Sequence, residues 1–282
     1  MVQKSYDGSP TIYIVPTPIG NLEDITLRAL KILKQVDVIF AEDTRTTGNL
    51  LRHFEIKNKL LPCHLYNESK MITKALEYLK LKKNIAIVSD AGTPIISDPG
   101  YILVSQAIKE GYNIVCLPGP TAIIPAVVTS GLAGGPFMFY GFLNSKESKK
   151  RKELEKLKEY KYPLVFYEAP HRIKETLKEI STILGNRKIA IIREISKKYE
   201  EVIRDNIENI INNKFDIKGE IVIVIDGNKE QKKYENLTIK EHIKLYITDN
   251  ITPKEAIKIV AKERHIPKSE VYSEYLKMKN NR

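Results

Sequence analysis

Short runs of β-branched residues alternate with helical patterns through the first half of this chain, and that alternation limits its fold more than any other feature. Residues 12–15 form an apolar run typical of a buried strand, and apolar side chains recur at helical spacing from Ile25 to Val36, with Asp24 as the expected helix cap. Further strands are predicted at 38–41, 85–88 and 114–117, and helices near 70–81 and 102–110. Such an alternation builds a largely parallel sheet with helices on its faces, so the fold class is α/β.

The pattern restarts after Gly134-Gly135-Pro136, which predicts a second domain. Strands are expected at 137–142, 164–167, 189–192, 201–203 and 221–225, and helices at 146–160 and 171–184. Residues 228–236 are polar and linker-like, and residues 252–255 form a capping box that begins a helix. We therefore expect an N-terminal α/β domain over residues 10–135, a second α/β domain over 136–228, and a small helical appendage over 237–282.

The chain carries 46 Lys and Arg residues against 35 Asp and Glu residues, a formal net charge of +11. This excess favours a polyanionic partner, because each cation placed against a phosphate releases condensed counterions. A lysine-rich composition can also reflect genome composition, so the net charge alone does not show whether the chain binds nucleic acid.

Two absences set further expectations. No run approaches the roughly 20 apolar residues that cross a bilayer, and the first residues lack the apolar segment of a signal peptide, so we expect a cytoplasmic protein without membrane contact. Cys63 and Cys116 are too few and too far apart to predict a disulfide framework or a zinc site, so no metal is expected.

Gly, Pro, Asp and Thr crowd the segments that follow four of the predicted strands, at residues 16–21, 42–45, 89–100 and 118–122. One such segment could simply be a tight turn. Four of them at the carboxyl ends of parallel strands, where ligands bind in open α/β sheets, predict a cleft built largely from backbone. The segments contain neither Gly-x-Gly-x-x-Gly nor a P-loop, which argues against a nicotinamide enzyme and a P-loop nucleotidase.

Five segments, residues 15–28, 41–45, 88–101, 117–122 and 166–172, closely resemble in order the motifs of the tetrapyrrole-methylase superfamily. Within it they are most similar to the branch that methylates small-subunit ribosomal RNA. Thr121 stands where serine is commoner in that branch, and the hydroxyl group is kept.

The resemblance implies two α/β domains with S-adenosylmethionine bound in the cleft between them, usually in a homodimer. The implied reaction is 2′-O-methylation of a cytidine in the decoding region of 16S rRNA, with the small ribosomal subunit as partner. Carried over by position, the residues that would bind the methyl donor are Ile19, Thr93, Pro94, Ile96, Thr121, Ala122 and Tyr167.

Methyl transfer to a ribose hydroxyl requires alignment of the reactants and removal of a weakly acidic proton. Carboxylates and one imidazole at predicted strand ends could accept it, and the candidates are Glu42, Asp43, Glu168 and His171. Asp90 and Asp98 also lie there but could simply accept backbone N–H bonds in their turn, as Glu42 could simply pair with Arg45.

Contacts to RNA phosphates are predicted for a set of cations, Arg45, Lys149, Lys150, Arg151, Lys152 and Arg172. The four consecutive cations are flanked by Glu147 and Glu153, so a solvated helix face with internal ion pairs is the alternative.

Two other functions remain open at this point. One is a C-methyltransferase of the same superfamily that acts on a tetrapyrrole precursor. The basic charge, the segments at 41–45 and 167–172, and the helical tail argue against it. The other is a non-catalytic rRNA-binding assembly factor, against which stands the complete set of donor-binding segments.

Overall fold

Five parallel strands form the first sheet of this computed structural model, which describes residues 2–5, 7–64, 68–213, 218–229, 237–248, 251–264 and 266–280. The strands are β1 (Thr11–Ile14), β2 (Val38–Ala41), β3 (Leu60–Pro62), β4 (Ile85–Val88) and β5 (Asn113–Cys116), in the order β3-β2-β4-β1-β5. All of their pairings are parallel, as predicted. The edge strand β3 was not predicted, because it has three residues and ends in a proline.

Helices cover both faces of this sheet. They are α1 (Leu27–Gln35), α2 (Thr44–His53), α3 (Glu68–Lys80) and α4 (Tyr101–Lys109). Helix α1 begins after Thr26, whose side chain accepts a hydrogen bond from the N–H of Ala29 at 3.0 Å. The prediction that Asp24 caps this helix was wrong, because Asp24 lies in a separate 3₁₀ turn at Leu22–Asp24.

The second sheet is mixed. Its strands are β6 (Met138–Phe142), β7 (Leu164–Glu168), β8 (Lys188–Arg193), β9 (Glu201–Asn206) and β10 (Ile221–Ile225), in the order β6-β7-β10-β8-β9. Only the β6–β7 pairing is parallel among these described strands. Because side chains alternate along a strand, β10 sends Ile221, Ile223 and Ile225 to one core cluster and Val222 and Val224 to another.

Four helices pack against the second sheet: α5 (Ile123–Ser130), α6 (Glu147–Leu157), α7 (Ile173–Leu184) and α8 (Ile207–Asn212). Helices α6, α7 and α8 pack on one face of the second sheet. Helix α5 precedes residue 135 in sequence, yet its Ala126 and Val127 pack on the other face of that sheet. The segment between the two sheets therefore contributes a helix to the second one.

Residues 1–228 and 229–282 form two compact units. The second unit contains α9 (Ile239–Thr248), α10 (Pro253–Arg264) and α11 (Lys268–Asn280), around a core that includes Ile243 and Val260. The capping box is present, since Thr252 Oγ1 lies 2.6 Å from Glu255 Oε2 and accepts from the Glu255 N–H at 3.4 Å. Most of the predicted linker, residues 230–236, lies outside the described residues.

Among the helices that the structure describes, none is long and apolar enough to cross a membrane. Nor does any group of three or more His, Cys, Asp or Glu side chains within the described ranges form a possible metal site. Cys63 is buried and Cys116 exposed, and no disulfide joins them.

Candidate active-site cleft

The carboxyl ends of β1 and β4 are joined by backbone hydrogen bonds beyond the strands themselves. Thr17 and Gly92 exchange N–H to carbonyl bonds of 2.9 Å in both directions, and Thr17 Oγ1 donates to the carbonyl of Ser89 at 3.1 Å. Strand β1 lies between β4 and β5, so strand order reverses at this point. Open α/β sheets bind ligands at such a reversal.

The segment after β4 has an unusual backbone. Ile95 has a φ of +79° and Ser97 a φ of +72°, a region that a β-branched residue such as isoleucine rarely enters. Gly92 and Gly100 in the same segment also have positive φ. Strain of this kind persists only where the surroundings enforce it, and it concentrates at ligand-binding sites. Here Thr93 Oγ1 donates to the carbonyl of Pro120 at 3.1 Å and ties this segment to the one after β5.

A cavity of about 400 Å³ opens at this edge, between the first sheet and the second. That volume lies within the usual range of small-molecule sites. The cavity is lined by residues from the parts of the chain that form both sheets: Ile19, Ala91, Gly92, Thr93, Ile96, Ser97, Asp98, Thr121, Ala122, Phe142, Tyr167, Glu168, Ala169, Pro170, Ile195, Glu220, Ile221 and Val222.

The structure brings together nearly all of the residues predicted to bind the donor. Ile19, Thr93, Ile96, Thr121, Ala122 and Tyr167 line the cavity. Pro94 does not line it and lies buried in the same segment.

Asp98 also lines the cavity, although it was only one of two carboxylates that the sequence suggested as turn acceptors. Burial, with the nearby negative charge of Glu42, raises the pKa of Asp98 to about 6. Burial, with the charge of Asp98, raises the pKa of Tyr167 to about 12, and the ring of Tyr167 packs against Phe139 and Phe142. The signal that could have identified Asp98 is its place in Ser97-Asp98-Pro99-Gly100, at the end of the longest motif segment.

Asp43 is occupied by a structural role. It is the N-cap of α2, where Oδ1 accepts from the backbone N–H of Arg45 at 2.8 Å and Oδ2 from the guanidinium of Arg45 at 2.7 Å. These bonds lower the pKa of Asp43 to about 2, which makes it a poor proton acceptor. Arg45 itself is 88% exposed and pairs with Asp43, so the suggested pairing with Glu42 is not formed.

Glu42 and Asp90 cross-link the ends of β2 and β4. The Glu42 carboxylate accepts a long bond of 3.3 Å from the Asp90 N–H, and the Asp90 carboxylate accepts from the Asp43 N–H at 3.1 Å. Burial raises the pKa of Asp90. Glu42 therefore stands at the end of β2, close enough to Asp98 for the two charges to interact.

Glu168 is buried, and its carboxylate accepts hydrogen bonds from residues that follow it closely in the chain. Its carboxylate accepts from Thr176 Oγ1 at 2.5 Å and from the Ala169 N–H at 2.8 Å, and it lies 3.3 Å from Arg172 Nε. Arg172 also donates to the carbonyl of Leu143 at 2.8 Å. Glu168 and Arg172 thus brace the end of β7, whereas His171 is exposed beside them.

The four consecutive cations of α6 do not form one exposed patch, and this corrects the prediction for Lys150. Lys150 is 1% exposed, and its Nζ lies 2.8 Å from Glu175 Oε1 and 3.4 Å from Thr176 Oγ1. Arg151 pairs with Glu147 at 3.8 Å and with Glu179 at 3.5 Å. Lys149 and Lys152 are exposed and stay available to a polyanion.

Comparison with known proteins agrees with this architecture. A family model described as Tetrapyrrole (Corrin/Porphyrin) Methylases matches residues 11–211. The chain is 48% identical, over 97% of both chains, to "Ribosomal RNA small subunit methyltransferase I" of Bacillus subtilis. It is 44% identical to the protein of the same description from Halalkalibacterium halodurans, over 97% of this chain and 98% of that one.

A solved structure shares the fold at low identity. It is a uroporphyrin-III C-methyl transferase from Thermus thermophilus complexed with S-adenyl homocysteine, with a TM-score of 0.55 and 18% identity over 77% of this chain and 97% of that one. Because the family model matches well over half of the chain and close relatives align along nearly all of it, the chain belongs to the tetrapyrrole (corrin/porphyrin) methylase family, in the ribosomal RNA small subunit methyltransferase I branch.

Proposed function

We propose that the chain methylates the ribose 2′ hydroxyl of a cytidine in the decoding region of 16S rRNA. The observation that carries this proposal is the cavity at the strand-order reversal, lined by the motif segments of a branch whose relatives are described as ribosomal RNA small subunit methyltransferases. In this proposal an N-terminal domain of residues 10–135 and a second domain of residues 136–228 form the two sides of the cavity. The substrate implies that the protein acts in the cytoplasm.

The methyl donor is S-adenosylmethionine, the cofactor of this methylase family. The cavity suits such a molecule, since it combines apolar walls at Ile19, Ile96 and Ala122 with a carboxylate at Asp98. When bound, the sulfonium group of the donor supplies a methyl group activated toward nucleophiles.

The main work of this chain's residues is alignment, which can supply a large part of a rate enhancement without any reacting side chain. The hydrogen bonds of Thr17 with Gly92 and of Thr93 with Pro120 hold three strand-end segments in one shape. The Asp98 carboxylate would accept hydrogen bonds from cationic or hydroxyl groups of the donor. Apolar walls exclude water from the rest of the site.

We propose that Glu42, which lies beside the cavity rather than in its lining, takes the proton from the ribose hydroxyl. Asp43 is held by Arg45, and Glu168 is held by Thr176 and Arg172. Glu42 accepts one long bond from a backbone N–H and stands at the same sheet edge as Asp98. A Glu42→Gln variant should therefore bind the donor normally and lose turnover.

Contacts to the RNA are assigned to exposed cations. Arg45 is largely exposed, and its surface pair with Asp43 is of the kind that contributes little stability and can exchange for a phosphate. Lys149 and Lys152 on α6 are exposed as well.

We also propose that the chain acts as a homodimer. Helix α5 exposes Ile124 and Val128, which lie one turn apart and are 52% and 70% exposed. An apolar pair on the outer face of a helix favours a protein contact. Sedimentation of the unaltered chain as a monomer at micromolar concentration would contradict this part of the proposal.

The test is to incubate the purified protein with methyl-labelled donor and small subunits from cells lacking the gene. Label should appear in one nucleotide whose 3′ linkage resists alkali, because a blocked 2′ oxygen cannot attack the adjacent phosphate. Glu42→Gln serves as the matched inactive control. Label on a base, or transfer to a tetrapyrrole precursor in a parallel reaction, would assign the chain to another reaction of the family. Binding to subunits without any transfer would indicate an assembly factor.

A further inference from the structure

The helical unit contains a shallow groove of about 600 Å³ between α10 and α11. The groove places three lysines and two tyrosines together, namely Lys254, Lys258, Lys268, Tyr272 and Tyr275. Its floor includes Ile257, which belongs to the core of the unit. Cationic side chains therefore surround a surface that is otherwise apolar and aromatic.

The three lysines of this groove are exposed, and none forms an ion pair within 4.0 Å among the described residues. Glu255 lies near enough to Lys258 for the two charges to interact, and its carboxylate is held by Thr252. By contrast, Lys240 and Lys277 of the same unit form ion pairs with Glu274, with N–O distances of 4.0 Å and 2.7 Å. Exposed positive charge that forms no close ion pair, beside an apolar surface, is complementary to a polyanion that also carries flat apolar groups.

The tyrosines decide which polyanion fits. Tyr272 is 52% exposed, so one face of a base can stack on its ring, and Tyr275 lies one turn away and is half-buried. Aromatic rings set among lysines form the combination by which proteins hold single strands, with stacking for the bases and cations for the phosphates. Double-stranded RNA would offer its phosphates but no unstacked bases.

We infer that this lysine–tyrosine groove binds single-stranded RNA. The inference rests on the proposed function, since it concerns the same ribosomal RNA, and it adds a second contact in a unit that contains none of the donor-binding segments. Its role is to hold an unpaired stretch of the substrate independently of the methylation chemistry.

The test compares full-length variants by fluorescence anisotropy with a labelled oligouridine, a probe without base pairing. For the unaltered protein the affinity should fall with salt, and Lys254→Ala/Lys258→Ala/Lys268→Ala should lose at least tenfold in affinity. The slope of log affinity against log salt should fall by about 2, since each single-strand phosphate contact contributes about 0.7. Tyr272→Ala should lose roughly tenfold with little change in slope, and Tyr272→Phe should retain binding.

The matched control is Lys34→Ala/Lys80→Ala/Lys109→Ala, which removes the same charge. These exposed lysines lie in the last turns of α1, α3 and α4, at the sheet edge opposite the cleft, so their loss should leave the slope unchanged. A lysine–tyrosine groove variant with native affinity and slope would overturn the inference. So would an altered sedimentation coefficient with native RNA affinity, which would make the groove a contact between copies.

Measurements of donor binding and of small-subunit methylation distinguish the proposed function from the proposed RNA-binding groove. Loss of oligouridine binding in the groove variant with normal donor affinity supports the inference. If the unaltered protein binds oligouridine through the groove but never methylates small subunits, the proposed function fails while the groove assignment stands.

Discussion

Lys150 Nζ lies 2.8 Å from Glu175 Oε1 in a position where the lysine is 1% exposed. The same Nζ is 3.4 Å from Thr176 Oγ1, which donates to the carboxylate of Glu168 at the cavity wall. A cation from the middle of a basic run thus supports the end of β7 rather than the protein surface.

The two partners of this pair should respond differently to substitution. Glu175→Gln leaves a buried ammonium without a carboxylate, so we expect the free energy of unfolding to fall further than in Lys150→Met, but by less than for a fully buried pair because Glu175 is 61% exposed. Lys150→Met replaces the lysine by an apolar residue of similar length and should stay within about 1 kcal/mol of the unaltered protein. Urea unfolding measures both, and the reverse order would contradict this account.

The salt dependence of RNA binding should show which cations of α6 contact RNA and which do not. Lys149→Gln/Lys152→Gln should lower the slope of log affinity against log salt by at most about two contacts, or roughly 1.4–1.8. Lys150→Met should leave the slope unchanged, because its ammonium does not reach solvent. If the double variant keeps the salt slope of the unaltered protein, α6 is a solvated helix face. Arg45 and the lysine–tyrosine groove then remain as the RNA contacts.

Donor affinity should depend on pH through Asp98. With a pKa of about 6, this carboxyl is mostly protonated at pH 5 and mostly ionised at pH 7, so a cationic donor should bind about tenfold more tightly at pH 7. Asp98→Asn should bind weakly at both pH values. Calorimetry across this range measures the effect, and an unaltered pH profile in the variant would exclude Asp98 as the titrating group.

The same substitution should not destabilise the fold. The pKa of Asp98 is higher in the folded state than in the unfolded state, so the folded state binds more protons between about pH 4 and 6 and loses stability as pH rises through that window. Asp98→Asn removes this penalty and should gain about 1 kcal/mol at pH 7, after allowance for partial exposure, or roughly 2 °C in Tm. A lower Tm would indicate a structural role instead.

Ala122 offers a steric test of the cavity. It lies at the start of α5, lines the cavity and packs at the border of a core cluster without being fully buried, so Ala122→Phe should fill donor space and weaken donor binding by on the order of 100-fold. Ala122→Ser is the matched control and should bind. Normal donor affinity in Ala122→Phe would place the donor elsewhere.

The strands of both sheets were largely predictable because local patterns mark them. Strands such as β4 are buried on both faces, and the corresponding unbroken apolar run is visible without any structure. The residues predicted to bind the donor were chosen by resemblance, and six of the seven line one cavity. Five of these six follow strands that end at the same edge of the first sheet, whereas Tyr167 lies in β7 of the second sheet.

What local patterns could not predict depends on partners far away in sequence. Lys150 is buried because Glu175 and Thr176 lie on the next helix, 25 and 26 residues later. Helix α2 was not predicted, because its first turn is Thr-Arg-Thr-Thr and only the cap by Asp43 marks its start. The role of Asp98 could not be predicted because its raised pKa depends on burial in the folded cleft and on the charge of Glu42, which lies 56 residues earlier.

The position of β1 has a consequence for synthesis on the ribosome. Strand β1 is made first but lies between β4 and β5, which begin at Ile85 and Asn113. At about 5–20 residues per second, the earliest apolar strand waits at least several seconds before either neighbour has been translated. Closure of this sheet is therefore delayed by chain order, and β1 is the strand of this sheet that a chaperone would meet for longest.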